Sequence, residues 1–171
     1  MTMSRGFSLI ETLVAISVLM LAVVGPLSIA SRGLISAQYA RDQITAFHLA
    51  REATELVRNK RDTNMLHPIA TPADWLNGLD SCRGSNICKV DPLTGIFSVC
   101  TGSSCSALLK SSTTGVYGYG FGWEETPFTR NITIRDVVHG EEIVVEVEVL
   151  WQTGVMTKSF VITEHFFNWK Q

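Results

Sequence analysis

Neither sign of charge is in excess in this 171-residue chain, where 14 lysines and arginines face 16 aspartates and glutamates. A formal net charge of −2 leaves no basic face of the kind that neutralises phosphates, so nucleic acid is not an expected partner. Lys89, Lys110 and Arg83 are too few to change that. Catalytic motifs are missing as well. There is no G-x-S-x-G, no H-E-x-x-H, no glycine-rich phosphate loop and no Walker-type lysine. His48, His67, His139 and His165 are scattered, none with a metal-ligand partner at helical or strand spacing. The acid pairs Glu124-Glu125 and Glu141-Glu142 read as solvated turn charges rather than a calcium cage. The expectation is a protein that is not an enzyme and that carries no cofactor and no metal.

Charge is missing in one further place. Between Glu11 and Arg32 lie 20 uncharged residues, mostly Leu, Val, Ile and Ala. At about 1.5 Å per helical residue this run crosses a hydrocarbon core of about 30 Å. A secretory signal peptide would end in an A-x-A-like cleavage site, and "VVGPLSIASRG" continues the helical pattern without one. Arg5 ahead of the run agrees with the positive-inside rule. Gly25 and Pro26 should kink or open the helix, because proline lacks an N–H and crowds the preceding turn. Glu11 is the anomaly. An acid at the bilayer centre costs about 2.5–3.5 kcal/mol, less near the interface. Either it snorkels or protonates, or a cation reaches it when copies pack together. Cleavage before Phe7 would create such a cation, an α-amino group titrating at about 7.7–8.0.

The stretch "RGFSLIE" directly before this run resembles the cleavage and methylation site of type IV prepilins and type II secretion pseudopilins. The resemblance is specific over residues 4 to about 35 and only architectural beyond. It implies that residues 1–6 are a leader ending at Gly6, cut by an aspartyl prepilin peptidase that also methylates the new N-terminus, Phe7. Glu11 is then the assembly carboxylate that meets the N-terminal amine of an adjacent subunit. The implied partners are other pilin subunits, the peptidase, membrane lipid before assembly, and an inner-membrane platform driven by a cytoplasmic ATPase. The implied location is the bacterial cytoplasmic membrane, single-pass with the C-terminal domain outside the cytoplasm, and then an extracellular filament.

Helical character persists past the apolar run. Ala46, Leu49, Ala50, Ala53, Leu56 and Val57 fall on one stripe, with Arg51, Glu55 and Arg58 on the other side. The pattern fades at Arg61-Asp62, and "TNMLHPIATPADW" reads as loop. The expected organisation is a transmembrane and assembly helix over 7–32, its amphipathic half over 33–62, a loop-rich disulfide region over 63–126 and an antiparallel meander over 127–171. A helix from Ser8 to Arg61 would be about 80 Å long. "FTRNITIRDVV", "EEIVVEVEVLWQ" and "MTKSFVITEHFF" read as the meander's strands, the second with Ile143, Val145, Val147, Val149 and Trp151 on one face. That predicts an α+β fold, pilin-like, with the sheet lying on the helix stripe. "DPLTG" could turn a short hairpin, and the aromatics of "TTGVYGYGFGW" read as pins holding a loop to the core.

Cys82, Cys88, Cys100 and Cys105 are four in one window, spaced C-x5-C and C-x4-C. That spacing favours disulfides in an oxidising compartment over a zinc knuckle. Turn-rich intervals favour the local closures 82–88 and 100–105, while a nested pairing of 88 with 100 and 82 with 105 stays open. The functional expectation is a structural subunit, most like a minor pilin of a type IV pilus-like filament. The alternatives are a minor pseudopilin of a type II secretion system and a tip-displayed adhesin or binding module. Glu11 argues against the tip-capping pseudopilin type that lacks this acid.

Overall fold

A computed structural model describes residues 8–66, 75–154 and 156–169. The chain opens on one helix, α1 (Leu9–Leu66), and seven strands follow. Its contacts divide it into two units, Met1–Arg41 and Asp42–Gln171. The first is helix alone. Leu, Val, Ile and Met side chains from Leu9 to Ile35 stand exposed along it, as they must where a helix has no domain to pack on.

The second unit is built on the end of α1 and one antiparallel sheet. Its strands are β1 (Cys88–Asp91), β2 (Ile96–Val99), β3 (Ala107–Lys110), β4 (Tyr117–Gly118), β5 (Glu124–Val138), β6 (Glu142–Thr153) and β7 (Met156–Phe167). β5 is the hub. One of its edges pairs with β6 from Thr129 to Val138, and β6 pairs with β7 in unbroken register. The opposite edge takes both β3, with Ala107 facing Thr129, and β1, with Cys88 facing Ile132. β1–β2 and β3–β4 are thus two short hairpins carried on one long strand. The architecture is α+β, an apolar N-terminal helix followed by a C-terminal antiparallel sheet, as in pilins.

The core forms where two periodicities meet. Ala46, Leu49, Ala50, Ala53 and Val57 are buried on α1 at helical spacing, against Ile143, Val145, Val147, Val149 and Trp151 at strand spacing on β6. Three alanines in the stripe let helix and sheet backbones approach closely. The helix runs on through residues 62–66, past the polar stretch where composition suggested an end. Met65 extends the buried stripe, and the guanidinium of Arg61 lies 5.0 Å over the Phe166 ring. Charged side chains with packed stems disguise a core-facing turn as a polar one. Asn64 then ties the helix end to the next segment, its Nδ2 donating to the carbonyls of Trp75 at 3.2 Å and Asn77 at 2.8 Å.

One charge lies inside this core. Arg130 is fully buried on the same face of β5 as Phe128, Ile132 and Ile134. Its Nη1 donates to the Leu49 carbonyl at 3.0 Å and to Glu52 Oε2 at 2.6 Å, and its Nη2 donates to the Val90 carbonyl at 3.0 Å. One guanidinium therefore fastens α1 to both β5 and β1. Its Nε and the nearby Tyr119 hydroxyl are buried without a hydrogen-bond partner. Burial raises the Tyr119 pKa above its ordinary value; Arg130 opposes that shift and Asp91 adds to it.

Candidate functional site at the start of the helix

The first turn of α1 is shaped by Ser8 and Glu11. Ser8 sits just before the helix and caps it. Its Oγ accepts the Glu11 N–H at 3.3 Å, and its carbonyl accepts the N–H groups of Glu11 and Thr12 at 3.1 and 3.2 Å. Ser8-Leu9-Ile10-Glu11 has the S-x-x-E spacing of a capping box, a signal present in the sequence that the motif reading passed over. At this position a carboxylate also faces the positive end of the helix dipole, worth about 0.3–1 kcal/mol near the surface. The cap itself uses the backbone N–H of Glu11 and not its carboxylate. Among the described residues, that carboxylate has no hydrogen-bond or ion-pair partner. Gly6 and Phe7 lie outside the described residues, as does His67.

Farther along, polar side chains in the apolar segment satisfy themselves. Thr12 Oγ1 donates to the Leu9 carbonyl at 2.8 Å, Ser17 Oγ to Leu13 at 2.8 Å and Ser31 Oγ to Leu27 at 2.9 Å. Such back-bonding leaves no hydroxyl donor bare in an apolar surrounding. α1 runs through Gly25 and Pro26 without interruption. Lacking an N–H, Pro26 gives the carbonyl four residues earlier no helical partner. The segment has the length and composition to cross a membrane, and none of its most apolar window is buried.

The cysteines form two local pairs. Cys82 joins Cys88 with Cα atoms 5.4 Å apart, and Cys100 joins Cys105 at 5.0 Å. The first pair is fully buried beside Val90 in the core. The second closes the exposed loop 101–104, which Asn131 holds to the sheet by accepting the Cys105 N–H at 2.9 Å. Asn131 opens a glycosylation sequon, but it is buried and its amide oxygen serves this clamp. Glu142 contacts His165 Nδ1 at 2.6 Å, whereas Glu124 and Glu125 are exposed on β5. Among the described residues, no three His, Cys, Asp or Glu side chains converge as metal ligands would.

Residues 1–25 match a family model described as the prokaryotic N-terminal methylation motif. No curated protein and no solved structure matched the chain. The match supports a type IV pilin-like class III signal peptide. Motif and fold together point to a pilin- or pseudopilin-like structural protein anchored through its apolar helix.

Proposed function

We propose that this chain is a minor pilin of a type IV pilus-like filament. Prepilin peptidase removes residues 1–6 after Gly6, and the amine of Phe7 is methylated. Anchored in the cytoplasmic membrane with residues 42–171 outside the cytoplasm, the subunit is then drawn into the filament by an ATPase-driven platform. The carrying observation is the methylation motif at residues 1–25 set directly on a helix whose apolar side chains are all exposed. An exposed apolar surface of this extent requires either lipid or other subunits around it. The helix is suited to both, because its Thr and Ser hydroxyls are bonded within it and moving it between them breaks no hydrogen bond.

Glu11 supplies register. In an apolar filament core a lone carboxylate is costly, and an amine from the adjacent Phe7 removes that cost only at one axial offset. Two experiments test the reading. Mass spectrometry of the membrane-extracted protein should show loss of residues 1–6 and a methylated Phe7. The Glu11→Val variant should remain membrane-anchored but drop out of sheared filaments, and its normal incorporation would reject the assignment. Co-purification with secretin-dependent secretion components instead of pili would move the chain to the pseudopilin reading.

A further inference from the structure

The stretch "YGYGFGW" has no part in the assembly role, and its geometry is specific. Trp123 folds back under the preceding chain, its N–H reaching the Gly120 carbonyl at 3.4 Å. A Cβ on Gly120 would stand 2.3 Å from the indole, and one on Gly118 would stand 3.1 Å from it. Gly122 has φ +77°, a left-handed conformation that side chains disfavour. Two glycines are thus required, one for space and the other for backbone. Tyr117, Tyr119 and Trp123 are partly buried and do pin the segment. Phe121 is the exception: at 105 % it is the most exposed large apolar side chain among the described residues. The adjoining β1–β2 turn adds Leu93, 62 % exposed, and the same turn's Pro92 would lie 3.5 Å from a Cβ on Gly118.

A ring held on a fixed turn loses little further freedom when it docks, and buried aromatic anchors dominate interface energetics. The exposed carboxylates of Glu124 and Glu125 follow within four residues. They disfavour an anionic lipid surface and favour a pocket edged with lysine or arginine. We propose that Phe121 is a docking anchor for a second protein, inserting into an apolar pocket bordered by basic side chains.

The test places p-benzoylphenylalanine at position 121 of the full-length chain, irradiates native membranes and maps the adducts by mass spectrometry. The expected result is one partner, cross-linked at one apolar pocket with Lys or Arg at its edge. That partner's affinity for the full chain in detergent should fall about 30-fold or more with Phe121→Ala. It should fall again with the Glu124→Lys and Glu125→Lys pair, and hold with Phe121→Trp. Phe121→Ala should not move thermal unfolding, since the ring packs on nothing, so lost binding would not be lost fold. Lipid adducts, adducts scattered over many proteins, no adduct, or undiminished binding by Phe121→Ala would each overturn the proposal. It does not rest on polymerisation: a chain absent from filaments that still gives the single mapped adduct keeps this inference and rejects the filament reading.

Discussion

Glu52, not Arg130, should be the more damaging half of the buried ion pair to remove. Glu52→Ala leaves a guanidinium with 0 % exposure facing two carbonyls and no counter-charge, a situation that costs about 3–5 kcal/mol. Arg130→Met removes the charge and keeps most of the volume. The Glu52 carboxylate, 38 % exposed, then turns to water. The remaining cost is the lost donor at the Val90 carbonyl and the weaker contact at Leu49, about 1–3 kcal/mol. The double variant has neither charge and should lose only about 1–3 kcal/mol. A second mutation thus restores roughly 2 kcal/mol to Glu52→Ala, or about 4–8 °C for a domain of this size. The assay is thermal and urea unfolding of the full-length chain in detergent, disulfides intact, followed by near-UV circular dichroism. A Glu52→Ala cost below about 1 kcal/mol, or a double variant less stable than Glu52→Ala, would refute the reasoning.

Tyr119→Phe should be neutral or stabilising by up to about 1 kcal/mol, because it deletes a buried hydroxyl without a partner. The Tyr119 pKa is raised in the fold, so the stability linked to its proton is complete below the ordinary value of about 10 and is lost as pH climbs through the raised one. Tyr119→Phe should flatten that alkaline limb in pH-dependent unfolding, and an unchanged limb would exclude Tyr119 as its source. Under mild dithiothreitol, timed alkylation should find Cys100 and Cys105 before Cys82 and Cys88, which are fully buried; each bridge's removal should cost about 2 kcal/mol of stability by the loop-closure estimate. Gly120→Ala should destabilise the loop by driving a methyl into the indole, visible as a shift in Trp123 fluorescence that Phe121→Ala does not cause.

The long elements were legible because their periods had room to repeat. β6 alternates over 12 residues, and the α1 stripe covers three turns, so either pattern identifies both element and face. The strands between residues 88 and 118 were not, apart from the turn at "DPLTG". At two to four residues each they are too short to show a period, and they exist because the open edge of β5 pairs with them. Arg130 lay in plain view with the same parity as Phe128, Ile132 and Ile134, but a charge on an apolar face is discounted unless its acceptors are known. Those acceptors are distant in sequence, at Leu49 and Val90. At the N-terminus, the methylation motif and Glu11 were readable directly, because a linear signal needs no tertiary contact to be recognised.

The distance between Leu49 and the guanidinium that grips it, 81 residues along the chain, has a consequence for biogenesis. At about 5–20 residues per second, Arg130 is made roughly 4–16 s after Leu49. Throughout that interval the inner face of the stalk has no sheet to cover it. An alanine-rich face offers little for a stray chain to grip, so the subunit waits for its own later strands with a surface poor in adhesive side chains. Replacing those alanines with leucine would add burial to the finished domain and leave the nascent one prone to aggregation.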